Sequence, residues 1–163
     1  MCSKRGIFVL AMKKYGLQSA EYIKCLFIDY LLSRSKELII GNELMYGIKR
    51  KVVDLVVLQN KKIIAVEIKS DSDNLSRLEE QISEYKKIFD YVLIITTEKH
   101  ASRISEIVPS EIGIYVFKEN LLMKKFRNPR IQRSKDKVEM LYSINAKYLC
   151  KLEGLALSKY DTD

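Results

Sequence analysis

The sequence has few of the residues that build cross-linked or zinc-stabilised proteins. Its three cysteines, Cys2, Cys25 and Cys150, show no CxxC spacing and no cysteine–histidine spacing, and the chain has a single histidine. This distribution supports neither a disulfide framework nor a zinc site. It is typical of a protein that works in a reducing compartment.

Long apolar runs are also missing. The early apolar stretch from Gly6 to Met12 is shorter than a membrane-spanning helix, and two lysines follow it where a signal peptide would have a small-residue cleavage site. We therefore expect a soluble, cytoplasmic protein without a membrane partner.

Only two prolines interrupt the chain, Pro109 and Pro129, and no internal repeat or low-complexity tract is present. The length of 163 residues, 47% of them hydrophobic, suffices for one compact domain. We predict a core over residues 1–117, with a basic segment and a C-terminal helix over residues 118–163 packed on the same domain. The net charge of +8 suits a polyanionic partner, although many basic proteins share it.

The hydrophobic pattern predicts an α/β fold. Ser19 is placed to cap a first helix, Asp73 or Asn74 to cap a second, and short turn-like segments between three β-rich runs favour an antiparallel meander. Later strand–helix–strand units imply parallel pairing, so we expect a mixed central sheet flanked by helices. The predicted helices cover residues 19–32, 74–89 and 100–107, and the predicted strands cover residues 37–46, 51–58, 62–69, 91–97 and 111–117.

The two predicted hairpins bring acidic residues together. If residues 60–61 form the loop of the second hairpin, Asp54 lies directly opposite Glu67. If residues 48–49 form the loop of the first hairpin, Glu43 lies opposite Asp54. Three carboxylates then lie in a row across one face of the sheet.

Three anions on a largely apolar sheet repel one another, and a hard cation such as Mg²⁺ or Mn²⁺ would relieve that repulsion. Lys69, two residues after Glu67, shares its face and adds a fixed positive charge. Such a site can activate water against a phosphodiester. The plainer alternative is that strand-end acidic and basic residues form solvated surface pairs. However, Asp54 lies inside the apolar run VVDLVV, where burial of a carboxylate is costly unless it has a partner.

These residues resemble a known family. Asp54 in one strand and Glu67-Ile68-Lys69 in the next resemble the signature of the PD-(D/E)XK nuclease superfamily, with valine in place of the first motif's proline. The superfamily's order of helix, three-stranded meander, helix and strand is similar to residues 19–117. Gln81 and Tyr85 resemble the QxxxY element of RecB-like members. The run EIKSDSDNLSRL also looks like a small, uncharacterised bacterial branch.

The resemblance implies a restriction-endonuclease-like fold and a DNA endonuclease that uses Mg²⁺ or Mn²⁺. By this resemblance Asp54, Glu67 and the main-chain carbonyl of Ile68 bind the metal, and Lys69 orients the attacking water. Glu43 is the further acidic residue chosen from the register, and Glu21 on the first helix is the competitor.

The resemblance also implies contacts to DNA. Gln81 and Tyr85, four residues apart on one helical face, could reach the DNA backbone or the lysine, although Tyr85 could equally pack in the core. Arg77 is a candidate phosphate contact. Residues 118–137 hold eight basic residues against two acidic ones, which suits a DNA-binding arm or an ordinary solvated linker. The arm residues that we expect to contact DNA are Lys124, Lys125, Arg127 and Arg130.

Two alternatives stay open from the sequence. The protein could be a catalytically inactive nucleic-acid-binding or regulatory protein with a nuclease-like fold. Helical spacing of apolar residues over 138–157 fits packing against the core or against a second subunit, as in a homodimer. His100 is assigned to the start of a helix without a chemical role, with a general base as the competing role.

Overall fold

A six-stranded mixed sheet organises the chain, with its strands in sequence order from β1 to β6. The computed structural model describes residues 13–35 and 37–144. The elements are a 3-10 helix at Lys13–Gln18, α1 at Ala20–Arg34, β1 at Ile39–Tyr46, β2 at Lys51–Gln59, β3 at Lys62–Ile68, α2 at Leu78–Ile88, β4 at Tyr91–Thr97, α3 at Glu98–Ile107, β5 at Gly113–Phe117, β6 at Met123–Arg127 and α4 at Lys137–Tyr142.

The antiparallel meander and both of its registers are confirmed. Gln59 lies opposite Lys62 in the second hairpin, and Tyr46 lies opposite Lys51 in the first. The two residues of the second loop, Asn60 and Lys61, have φ values of 50° and 59°. Positive φ at both central residues is the geometry of the two-residue turns whose twist matches that of the flanking strands.

The expected parallel pairing is confirmed as well, because β3, β4 and β5 run parallel to one another. The helices α2 and α3 make the connections between them, as parallel strands require. The sixth strand was not predicted. It pairs antiparallel with β5, with Phe117 opposite Met123, and extends the sheet by one strand inside the basic segment.

Two apolar layers enclose the sheet. Ser19 caps α1 as predicted, its Oγ accepting a hydrogen bond from the N–H of Tyr22 at 3.2 Å. The layer under α1 contains Ile23, Phe27, Leu55, Val57, Val66, Ile68, Leu93 and Ile95. The layer under α2 and α3 contains Val53, Ala65, Leu78, Ile82, Tyr85, Val92, Ile94, Ala101 and Ile104. Burial of these side chains is the main source of stability of the fold.

The predicted cap of the second helix is wrong, since α2 begins only at Leu78. The Asp73 carboxylate accepts hydrogen bonds from the main-chain N–H and the hydroxyl of Ser70, at 2.7 and 2.5 Å. The Asn74 side chain accepts from the N–H of Ser76 at 2.7 Å. Asp and Asn commonly bond to nearby backbone in this way, and here these local bonds stabilise a turn that delays the helix.

A return segment, residues 128–136, follows β6 and crosses the amino ends of β4 and β5. Its Gln132 N–H donates to the carbonyl of Asp90 at 2.8 Å, and the Lys135 ammonium donates to the Asp90 carboxylate at 2.8 Å. These bonds attach much of the predicted basic arm to the body of the domain.

The short helix α4 lies against the β1–β2 loop. The carboxylate of Glu139 accepts from the N–H of Ile48, and the hydroxyl of Ser143 accepts from the N–H of Gly47, both at 2.9 Å. This part of the predicted C-terminal helix therefore packs on its own chain, whereas residues 145–157 lie outside the described residues and a homodimer stays a prediction. Within 13–35 and 37–144, no helix is both long and apolar enough to cross a bilayer.

Candidate active site

Asp54 lies where the pairing of β2 is interrupted. The β2–β3 ladder ends at Leu55 opposite Val66, one residue short of Asp54, and the β1–β2 ladder skips the Glu43–Asp54 pair. Val53 packs in the layer under α2, whereas Leu55 packs in the layer under α1. Residues two apart on a regular strand share a face, so the strand turns over at Asp54.

The Asp54 carboxylate bonds to the main chain of β3 at this interruption. Its Oδ2 accepts a hydrogen bond from the main-chain N–H of Ile68 at 2.8 Å. Burial, and then the charge of Glu67, raise the pKa of Asp54 to about 6, while Lys24 and Lys69 act in the opposite direction. The pairing of Leu55 with Val66 and the hydrogen bond from Ile68 place Asp54 beside Glu67, as the register predicts.

Glu67 is the centre of a buried network, with only 2% of its surface exposed. Its Oε1 accepts from the Lys69 ammonium at 2.7 Å and from the Gln81 amide at 2.6 Å, and its Oε2 accepts from the Tyr85 hydroxyl. Lys69 also donates to the Gln81 side-chain oxygen at 3.2 Å. The network satisfies a buried ion pair with further hydrogen bonds, which is the condition under which such a pair is tolerated.

The QxxxY pair therefore has both of its expected structural roles. Gln81 reaches Lys69 and Glu67, while Tyr85 is fully buried and packs against Tyr46 and Phe89, with ring centroids 5.4 and 5.9 Å away. Burial, and then Glu67, raise the pKa of the Tyr85 hydroxyl, which keeps it a proton donor. In this conformation Tyr85 faces the core and cannot contact DNA.

The expected row of three carboxylates is corrected to a pair. Glu43 has a left-handed backbone with φ of 50°, and its exposed carboxylate accepts from the Lys24 ammonium at 3.0 Å. This conformation breaks the alternation on which the expectation rested. The competitor Glu21 is also exposed and accepts from the Ser19 hydroxyl at 3.1 Å. Over the described part of the chain, no three Asp, Glu, His or Cys residues come together as a metal-binding group.

The remaining pair offers donors that fit a hard cation. A carboxylate has about four lone-pair positions, and Glu67 uses three, which leaves one position on Oε2. Asp54 uses one position on Oδ2, and its Oδ1 makes no hydrogen bond within the described part of the chain. Mg²⁺ often takes one or two carboxylates and fills its other positions with water and phosphate. Oxygens of Asp54 and Glu67, with the carbonyl of Ile68, the residue after Glu67, therefore fit Mg²⁺ or Mn²⁺.

The candidate DNA contacts are dispersed. Arg77 is exposed directly before α2. Lys124 and Lys125 are exposed on β6, three strands from β3, which corresponds to about 14 Å at ~4.8 Å per strand. The Lys125 ammonium lies 5.3 Å from the centroid of the Tyr115 ring.

Arg127 and Arg130 are less suited than the two lysines to the expected contacts with DNA. The Arg127 guanidinium is partly buried and donates through Nε to the carbonyl of Ile112 at 2.7 Å, and burial lowers its pKa. Arg130 belongs to the return segment, where its N–H donates to the carbonyl of Glu111 at 2.8 Å. The segment crosses the amino ends of β4 and β5, whereas Glu67 and Lys69 lie at the carboxyl end of β3. The structure thus does not bring Arg130 to the candidate site.

The similarity of the chain to known proteins identifies its family. Residues 14–161 match the family described as bacteriophage P4 protein cII. The chain belongs to this family. It is 31% identical over 107 residues to protein cII of Enterobacteria phage P4, which is 64% of this chain and 40% of the phage protein. The chain thus spans about 40% of the length of this curated relative. A solved protein of unknown function from Silicibacter pomeroyi is 16% identical, with a TM-score of 0.47 over 77% of this chain and 83% of that chain.

One charged residue of this P4 cII family member was missed by sequence reasoning. Lys24 lies on α1 between the buried Ile23 and Phe27. Its ammonium pairs with Glu43 and lowers the pKa of Asp54. The available signal was a lysine beside the apolar stripe of a helix that covers the sheet. Strand pairing alone could not connect it to Asp54, because the helix belongs to another layer.

Proposed function

We propose that this protein is a metal-dependent DNA endonuclease of the PD-(D/E)XK type with a restriction-endonuclease-like core. The element order supports the proposal, because a helix, an antiparallel meander, a helix and a parallel fourth strand follow one another from α1 to β4. Membership of the P4 cII family is compatible with it, and the reaction is inferred from the site.

One observation carries the proposal. Two carboxylates on neighbouring strands, Asp54 and Glu67, approach each other at an interruption of the sheet, and the ammonium of Lys69 lies 2.7 Å from Glu67. Gln81, from the helix that follows, contacts both Glu67 and Lys69. A chain with only a structural ion pair has no need of a second buried carboxylate, which opposes folding when it is charged.

The residues have distinct roles in this proposal. Asp54, Glu67 and the carbonyl of Ile68 would hold Mg²⁺ or Mn²⁺, which when bound lowers the pKa of water and offsets phosphate charge. Lys69 supplies a fixed ammonium that orients the attacking water and stabilises negative charge on the phosphate. Gln81 and Tyr85 position Lys69 and Glu67 through the hydrogen bonds described above.

Nucleic acid would approach the carboxyl end of the parallel strands, where Glu67 and Lys69 lie. The exposed ammonium groups of Lys124 and Lys125 and the guanidinium of Arg77 are available for phosphate contacts, which give affinity without sequence information. The partly buried Arg127 and the more distant Arg130 are expected to contribute less.

The test is a cleavage assay on supercoiled plasmid and branched DNA in Mg²⁺ or Mn²⁺. Wild-type protein should cut the DNA. Asp54→Asn and Lys69→Met should each lower the cleavage rate at least about a hundredfold, as expected for loss of a group that stabilises transition-state charge. Lys86→Gln is the matched control. The Lys86 ammonium pairs with the Glu111 carboxylate at 2.6 Å and makes no contact with Asp54 or Glu67. A wild-type protein that does not cut, or an Asp54→Asn variant that cuts like wild type, contradicts the proposal.

A second candidate is a catalytically inactive nucleic-acid-binding or regulatory protein with the same fold. The closed state of Glu67 favours it, because that carboxylate is 2% exposed and accepts three hydrogen bonds from the chain. Electron paramagnetic resonance of Mn²⁺ separates the two. A nuclease should bind Mn²⁺ in a manner that Asp54→Asn abolishes, whereas an inactive binder should hold DNA equally well in EDTA and leave Mn²⁺ free.

A further inference from the structure

Lys24 stands out among the charged residues that the proposed reaction leaves without a role. It lies on α1, the helix that covers one face of the sheet, while Lys69 is bound to α2 on the other face through Gln81. The β1–β2 pairing places Glu43, the ion-pair partner of Lys24, beside Asp54, because Asn42 pairs with Leu55 and Leu44 pairs with Val53. Lys24 and Lys69 both lower the pKa of Asp54, in agreement with this placement.

The two members of the Lys24–Glu43 pair differ in how firmly they are held. The Lys24 side chain is 14% exposed, whereas the Glu43 side chain is 63% exposed. Exposed ion pairs contribute little free energy, so the Glu43 carboxylate can exchange for another anion at small cost. The Lys24 ammonium is held in place because most of its side chain is buried.

An anion of the right kind is available in the proposed reaction. A nucleic-acid strand carries successive phosphates, and a lysine ammonium is a compact point charge well suited to one of them. The Glu43 carboxylate, at 3.0 Å from Nζ, fills the position that a phosphate oxygen would take.

We propose that Lys24 binds a nucleic-acid phosphate beside Asp54, on the α1 side of the site, and that Glu43 occupies this position when nucleic acid is absent. The inference rests on the proposed function, since it assumes that nucleic acid is the substrate. It adds a further phosphate contact and a competing carboxylate that regulates access to it.

The test measures the affinity of the full chain for short fluorescein-labelled duplex and single-stranded DNA in EDTA over a fourfold range of salt. A phosphate contact to duplex DNA contributes about 0.9 to the slope of log affinity against log salt. Lys24→Gln should therefore lower the slope by about 0.9, so that wild type loses about 3.5-fold more affinity than the variant over that range. Lys24→Arg should retain the slope, and Lys86→Gln is the control for loss of a lysine from another ion pair.

Glu43→Gln separates a phosphate contact from a structural ion pair. If the pair only stabilises the fold, Lys24→Gln and Glu43→Gln remove the same interaction and should weaken DNA binding together. If Lys24 binds phosphate, Glu43→Gln removes a competitor and should raise affinity while Lys24→Gln lowers it. Thermal unfolding of both variants checks that each is folded.

Three results overturn the inference: an unchanged slope for Lys24→Gln, changes of the same sign in the two variants, or no salt-dependent binding of either DNA by wild type. None of these measurements requires cleavage. Absence of nuclease activity together with the expected slopes would contradict the proposed reaction and leave the phosphate contact in place.

Discussion

Replacing Asp54 by asparagine should stabilise the metal-free protein at neutral pH. In the wild-type protein the N–H of Ile68 donates to the Asp54 carboxylate at 2.8 Å. The side-chain oxygen of asparagine can still accept this hydrogen bond. The substitution removes a negative charge that is buried beside Glu67. A residue proposed to hold the metal thus lowers the stability of the protein when the metal is absent.

The magnitude follows from the pKa. Burial and Glu67 raise the pKa of Asp54 from its ordinary 3.8 to about 6, and a difference of this size corresponds to about 3 kcal/mol at ~1.4 kcal/mol per pKa unit. The pKa of about 6 already includes the opposing attractions of Lys24 and Lys69. We therefore expect Asp54→Asn to raise the free energy of unfolding by about 1 to 3 kcal/mol at pH 7.5.

The pH dependence has a defined sign. A carboxyl group with a higher pKa in the folded state binds more protons when folded, so its contribution to stability falls as pH rises. For Asp54 this loss occurs between the ordinary pKa of 3.8 and about 6, and it stays constant above that range. The difference between variant and wild type should therefore be small near pH 4 and reach its full size above pH 6.

Urea denaturation in EDTA from pH 4 to pH 8 provides the measurement. Asp90→Asn is the control of opposite sign. Although burial opposes the effect, hydrogen bonds from Lys135 and from the N–H of Ile63 hold the pKa of Asp90 below its usual value. Asp90→Asn should destabilise the protein at neutral pH, and the loss should shrink in acid. An Asp54→Asn protein that is less stable than wild type above pH 6 would refute the reasoning.

Three further outcomes are expected. Tyr85→Phe removes a donor to the buried carboxylate of Glu67 and should cost about 1 to 3 kcal/mol in urea denaturation; unchanged stability would show that the hydroxyl is dispensable. Mg²⁺ at ten times its Kd should stabilise wild type by about 1.4 kcal/mol in thermal unfolding and leave Asp54→Asn unchanged, and equal shifts in both proteins would exclude Asp54 as a ligand. Gly47→Ala should cost about 1 to 2 kcal/mol, because Gly47 has φ of 66° and its new Cβ would lie 2.6 Å from the Glu139 carboxylate. In a Glu139→Ala background, which already lacks the hydrogen bond from Ile48, Gly47→Ala should lose its steric cost and keep the cost due to φ.

The strand registers could be predicted because two simple constraints agree there. Short loops limit the pairing of each hairpin, and a shift by one residue would expose side chains such as Leu55 and Val57 that alternate toward the core. The nearness of Asp54 and Glu67 follows from that register. The lysine at position 69 then follows from the period of two along β3.

The rest of the site depends on contacts between layers and on local backbone geometry. The left-handed conformation of Glu43 could not be predicted from its residue type, because glutamate seldom adopts it. Lys24 joins the site only when α1 packs on the sheet. The strand MKKFR lacks an apolar alternation, so β6 forms because β5 offers it an edge, which illustrates how strand propensity yields to context.

The sixth strand and the return segment have a consequence for shortened forms of the protein. With β6 in place, β5 has hydrogen-bonded neighbours on both sides, so its outer edge is paired. A chain that stopped at Phe117 would keep the proposed catalytic residues but present β5 as an open apolar edge, and such edges recruit other chains. The basic segment then serves as a cover against aggregation, and its lysines on the outermost strand discourage further pairing there.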